Sequence, residues 1–160
     1  MSKKNSSVIL KNQFRDFKDL SKVYSNFQKK IEKLNSKSFL VAVSGGPDSL
    51  ALAALTKAFY YKKNKKFFYV LINHKIRSNS SQEAIKVKNL VFKLGIKLKI
   101  IKNESKIKKN IQGEARNIRY NLLLDFCKKY KIKTILTAHN LEDQVETFLI
   151  RLSRGSGLTG

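Results

Sequence analysis

Residues 39–59, FLVAVSGGPDSLALAALTKAF, constrain the fold more than any other stretch of the chain. Phe39–Val43 is an apolar run short enough for an inner parallel strand, and Leu50–Phe59 reads as a largely buried helix. Only Ser44–Ser49 separate the two. Gly46 suits the N-cap, and Pro47 suits the first helical position, whose N–H would lack an intrahelical partner in any case. A strand that turns this tightly into a helix gathers backbone amides and the positive end of the helix dipole at one point.

Such a turn can take an anion. Gly45 and Gly46 carry no side chain to hold a ligand away, so their amides can surround phosphate oxygens, and Ser44 and Ser49 add hydroxyl donors. Asp48 breaks the pattern, because a carboxylate repels phosphates unless a divalent cation sits between them. The loop therefore predicts a Mg2+-nucleotide, against the alternative of a Gly-rich turn that binds nothing. It is not a GxxxxGK[ST] loop, since no lysine follows the glycines. SGGPDS instead resembles the SGGxDS loop of the PP-loop ATP pyrophosphatase superfamily. That resemblance implies transfer of the AMP part of ATP to a substrate oxygen with release of pyrophosphate.

The rest of the chain alternates strand and helix. Residues 1–12 read as disordered and residues 13–160 as one catalytic domain. Phe14, Phe17, Leu20, Tyr24, Phe27, Ile31 and Leu34 recur at helical spacing ahead of the first strand. Lys66–Asn73 reads as a second strand, Gln82–Leu94 as a helix closed by Gly95, and Lys97–Lys102 as a third strand. Gly113–Lys131 follows as a helix, Lys133–Ala138 as a fourth strand and Leu141–Ser153 as a last helix. The pattern predicts an α/β fold with a doubly wound, mostly parallel sheet, helices on both faces, and ligands beyond the carboxyl ends of the strands. The closing RLSRGSGLTG is Gly/Ser-rich and supplies no closing element, so the chain reads as a fragment with downstream domains missing.

Composition adds a partner class. The formal net charge of +23 favours a polyanion, most commonly nucleic acid. Lysine outnumbers arginine 28 to 6, which an AT-rich genome would also produce, so charge alone locates no surface. Clusters at Lys62–Lys66 and Lys106–Lys109 read equally as solvated loops or contact patches. A single cysteine, Cys127, rules out a disulfide or CxxC pair within the chain and reads as core packing. No run is long enough to span a bilayer, and residues 1–13 lack the apolar core of a signal peptide. A cytoplasmic protein is the default, with an organelle transit segment as the alternative.

Three further segments carry candidate chemistry. NHKIRSNSSQEA, residues 73–84, puts His74 and Arg77 at a strand's carboxyl end. QGEARNIRY, residues 112–120, sets Arg116 and Arg119 three apart on a helix whose Ala115, Ile118, Leu122 and Phe126 face inward; two guanidiniums can orient a phosphate or a base edge. TAHNLEDQVETFLIRLSRGSG places His139 at the fourth strand's end, and Asp143 and Glu146 one turn apart on the following helix. Read locally, the carboxylates also suit an acidic first turn and His139 a structural hydrogen bond.

Taken together, SGGPDSLAL, NHKIR with SQEA, GEARNIRY and TAHNLEDQVETFLIRLSRGSGLTG resemble the N-terminal catalytic domain of the tRNA(Ile)-lysidine synthetase family over about residues 39–160. Asn140 stands where that family usually has a second His, and Glu142 where it often has Asp. The resemblance implies conversion of the wobble cytidine of tRNA(Ile) to lysidine with ATP, Mg2+ and free lysine. It implies Ser44, Gly45, Gly46, Pro47, Asp48 and Ser49 on the phosphates, with Asp48 on Mg2+. Arg116 and Arg119 would orient ATP and cytidine, His139 would stabilise adenylation or move protons, and Asp143 and Glu146 would hold lysine. A homodimer is left open. The alternatives are a PP-loop tRNA thiolase and a non-catalytic RNA-binding module.

Overall fold

The computed structural model describes residues 18–59, 65–104 and 111–139. The N-terminal residues 1–12, the Lys106–Lys109 cluster, and the expected last helix with Asn140, Glu142, Asp143 and Glu146 lie outside the described residues. Helix α1 (Lys18–Lys33) precedes β1 (Ser38–Ala42), α2 (Pro47–Phe59), β2 (Lys66–Asn73), α3 (Ser80–Lys93), β3 (Leu98–Lys102), α4 (Ile111–Lys129) and β4 (Thr134–Leu136).

The four strands form one sheet in the order β3-β2-β1-β4, and every pairing is parallel. From β1 the chain winds to β2 and β3 in one direction. Helix α4 then carries it back to the other side of β1, so the winding reverses between β1 and β4. This is the expected doubly wound arrangement.

Period-two alternation divides the strand side chains between two apolar layers. Val41, Tyr69, Leu71 and Leu98 pack with Ala53 of α2 and with Ala84 and Val91 of α3. On the other face Leu40 and Val70 pack with Leu123, Phe126 and Cys127 of α4. Leu40 and Val41 are wholly buried, as a strand covered on both faces requires. Each such side chain contributes roughly 1.5–3 kcal/mol. The Cys127 thiol sits in this packing, and burial pushes its pKa up.

Helix α1 covers the far end of α2. Tyr24 packs on Ala58, and Ile31 on Phe39 and Phe59. The Lys65 ammonium closes α1, donating to the carbonyls of Ile31, Leu34 and Ser36 at 3.1, 2.8 and 3.2 Å. The expected apolar stripe is only partly buried. Leu20, in the first turn of α1 before Tyr24, and Leu34, past the helix's end, remain exposed.

Both α3 and α4 end in the same closing motif. Ile96 N–H donates to Val91 O and Gly95 N–H to Phe92 O, with Gly95 at φ 71°. In α4, Ile132 N–H donates to Cys127 O and Lys131 N–H to Lys128 O, but here a lysine holds the left-handed position at φ 51°. Glycine adopts that conformation freely and lysine at a cost, so Lys131→Gly is expected to stabilise the fold by roughly 0.5–1 kcal/mol. Urea denaturation checks this; a loss of stability would show that Lys131 makes a compensating contact.

Candidate functional site

Strand β1 reaches the carboxyl edge beside the point where the winding reverses. Val43 N–H still donates to Val70 O at 2.8 Å, and the chain then turns through Ser44–Gly46 into α2. Leu50 N–H donates to Gly46 O at 3.1 Å, the first bond of the helix, with Pro47 at its first position. The amides of Gly46, Asp48 and Ser49 precede that bond and have no acceptor within the helix.

The turn is tied by one hydroxyl. Ser49 Oγ, with the side chain buried, accepts from the amides of Ser44 and Gly45 at 3.2 and 3.1 Å and donates to Gly46 O at 2.9 Å. Ser44 Oγ donates to Ser49 Oγ at 3.1 Å. The Ser49 hydroxyl, expected to add a ligand donor, is thus engaged inside the loop by three backbone groups within its reach. The amides left without a helical acceptor belong to the first turn of α2, where the dipole is positive and the exposed Asp48 also sits.

The two glycines have different roles. Gly45 adopts φ 97°, and a Cβ there would lie 2.8 Å from Val87 Cγ2 of α3. Both conformation and packing therefore demand glycine. Among the described residues a Cβ on Gly46 would meet nothing nearer than Ser44 Oγ at 3.8 Å, an ordinary contact, so Gly46 is not crowded by them.

Strand β4 delivers His139 to the same crevice. Val41 pairs with Leu136, and both Ser44 and His139 lie three residues farther on. The Nδ1 atom of His139 is 3.1 Å from Thr137 Oγ1, and the ring is exposed. Crevices beyond strand ends at a reversal of winding are where open α/β sheets bind ligands.

The arginines of α4 diverge. Arg116 is exposed with its guanidinium 5.8 Å from the Tyr120 ring centre. Arg119 is half-buried and within electrostatic reach of His74, just past β2. Burial, and after it the Arg119 charge, hold the His74 pKa below its ordinary 6.5. Both ring nitrogens of His74 are buried with no hydrogen-bond partner among the described residues. Its turn is braced by Asn73, whose Nδ2 donates to Ser81 Oγ at 3.1 Å and whose Oδ1 accepts from Lys75 N–H at 2.9 Å. Local spacing did not reveal the His74–Arg119 juxtaposition; the carboxyl-end position of NHKIR was its one sequence signal.

A model of the PP-loop domain family matches residues 19–160. A curated tRNA(Ile)-lysidine synthase of Wolbachia sp. subsp. Brugia malayi is 38% identical over 154 residues, spanning 94% of this chain and 33% of that protein. Another, of Wolbachia pipientis wMel, is 46% identical over 124 residues, spanning 75% of this chain and 28% of that protein. The chain thus spans about a third of the length of the curated relatives it matches. Among solved structures, the U34-tRNA thiolase NcsA from Methanococcus maripaludis, with its [4Fe-4S] cluster, superposes with a TM-score of 0.65 at 21% identity, over 77% of this chain and 44% of that one. At that identity the likeness concerns the fold.

Two predictions follow from the geometry. Gly45→Ala should lower the melting temperature by several degrees, whereas Gly46→Ala should leave it within a degree or two and weaken phosphate-ligand binding at least tenfold. Equal stability losses in calorimetry would contradict the assignment. For His74, a lowered native pKa means the unfolded chain binds more protons just below pH 6.5, so stability is full above that pH and falls as the solution is acidified toward the native pKa. His74→Asn should flatten that part of the pH–stability profile; an unchanged slope would exclude His74 as its source.

Proposed function

The chain belongs to the PP-loop domain family, and from that premise we propose that it is the ATP-using part of a tRNA(Ile)-lysidine synthase. The observation that carries ATP use is the tied Ser44–Ser49 turn at the reversal of winding, with the amides of Gly46, Asp48 and Ser49 preceding the first helical bond at the positive end of α2. The lysidine reaction is favoured over other PP-loop chemistry by the names of the two Wolbachia relatives and by the segments around His74, Arg116 and His139.

In this reading the amides of Gly46, Asp48 and Ser49 receive pyrophosphate oxygens, and none of the described residues crowds Gly46 there. Asp48, exposed in the same turn, fits as the carboxylate that holds Mg2+. When bound, the cation supplies charge neutralisation for the departing pyrophosphate. The cytidine C2 oxygen attacks the α-phosphorus, the bond to pyrophosphate breaks, and C2 becomes electrophilic. Lysine's amine adds at C2 and AMP departs. Arg116 and Arg119 orient the anionic reactants, and His139, level with Ser44 across the crevice, stabilises adenylation or moves a proton. Asp143 and Glu146 bind the lysine ammonium groups. The rest of a longer protein would supply further grip on tRNA.

Cys127 weighs against sulfur transfer through this chain. Its thiol is packed among Leu40, Val70 and Leu123, and burial raises its pKa, which disfavours the reactive thiolate.

The test separates the two half-reactions. With tRNA(Ile) bearing a CAU anticodon, Asp48→Asn should lower pyrophosphate release by on the order of a hundredfold in a folded protein. Glu146→Gln should leave adenylation near normal and raise the lysine KM at least tenfold, with excess lysine partly restoring lysidine. If Glu146→Gln weakens ATP use with unchanged lysine dependence, the carboxylate serves the nucleotide and the lysine assignment is wrong.

A further inference from the structure

Charge is sorted between the two edges of the sheet. At the carboxyl edge, basic and acidic groups interleave: Lys75 lies 3.9 Å from Glu104, and Asp48, Glu83 and Glu114 share that end with Arg77. The amino edge differs. Each parallel strand is entered through an exposed lysine: Lys97 at β3, Lys66 at β2, Lys37 at β1 and Lys133 at β4. In the order of the sheet these four make a row across its whole described width. Ser38 pairs with Lys66, and Phe39 with Thr134, so Lys66 and Lys133 sit level on either side of β1. Exposed Lys128 and Lys131 at the end of α4 extend the row.

Few acids oppose it. Among the described residues, Asp19 and Glu32 of α1 and Asp125 of the second half of α4 are the carboxylates on the segments that reach that end, and Asp125 is 3.8 Å from Lys128. A lysine-rich composition loads the surface generally, but it does not explain why every described strand is entered through an exposed lysine. Lys65, nearby, is taken up in capping α1, while the strand-entry lysines are exposed.

We propose that this lysine row along the amino edge is a second RNA contact, holding phosphates of the substrate RNA remote from the reacting base. The inference rests on the tRNA reading above. Adjacent strands are about 4.8 Å apart, so ammonium groups on flexible stems at successive strand ends can follow a phosphate backbone. The eight residues of β2 separate the edges by about 26 Å. RNA touching the row is therefore not the nucleotide in the crevice. The row supplies position and affinity rather than base recognition.

The test compares two variants of equal charge. One carries Lys37→Gln, Lys66→Gln, Lys97→Gln and Lys133→Gln. The other carries Lys75→Gln, Lys86→Gln, Lys88→Gln and Lys102→Gln, all exposed, on α3 and at the far ends of β2 and β3. Binding of fluorescent full-length tRNA and of an isolated anticodon stem–loop is followed by anisotropy across a salt series, with circular dichroism to verify folding. The edge variant should lose at least tenfold in tRNA affinity, with the log–log salt slope shallower by about 3, while stem–loop binding changes less than threefold. The control variant should change either affinity by less than threefold. Equal losses in the two variants, or an unchanged slope in the edge variant, would overturn the proposal, as would an edge-dependent preference for anionic phosphatidylserine vesicles over tRNA. If the protein makes no lysidine yet the edge variant selectively loses RNA, the functional reading fails and the surface stands.

Discussion

The candidate site depends on the hydroxyl of Ser49. Three polar groups of a very short turn, the amides of Ser44 and Gly45 and the carbonyl of Gly46, all meet it. By satisfying them, the side chain holds the end of β1 against the first turn of α2 and leaves the remaining first-turn amides as the donors for a ligand. In the proposed function the loop's chemistry is thus divided, with the hydroxyl holding the shape and the backbone left to bind. Gly45 serves the shape by tolerating φ 97° against Val87, and the described residues leave Gly46 uncrowded.

Topology determines what that loop can work with. Because the winding reverses between β1 and β4, the two strand ends deliver Ser44 and His139 to one crevice at the same level. Helix α4 joins the two sides. Its second half is bound into the core through Leu123, Phe126 and Cys127, which fixes the first half and its arginines near the carboxyl ends of the strands. The amino edge, free of this chemistry, carries the lysines.

Much of this was legible in the chain. The second strand was read with the bounds observed, Lys66–Asn73, because its apolar run is flanked by clear polar ends. Pro47 and Gly46 marked the start of α2 through rules that are local. Element ends that depend on pairing or on turn hydrogen bonds moved: β4 is the shorter Thr134–Leu136, as far as β1 pairs with it, and α3 begins at Ser80 rather than Gln82, where Glu83 N–H bonds back to Asn79 O. Three features were not legible, for one reason. The inward turn of the Ser49 hydroxyl, the approach of Val87 to Gly45 and the Arg119 charge beside His74 each depend on where a distant or rotatable group ends up in three dimensions.

The central claim is that the Ser49-tied turn is the phosphate site, and backbone amide NMR tests it most directly. In 15N-labelled protein titrated with Mg2+-ATP and, separately, with Mg2+-pyrophosphate, the largest saturable amide shifts should fall on Gly46, Asp48 and Ser49. Ser44 and Gly45, already bonded to Ser49 Oγ, should move less. Saturable shifts centred elsewhere, with the Gly46–Ser49 amides silent, would contradict the account.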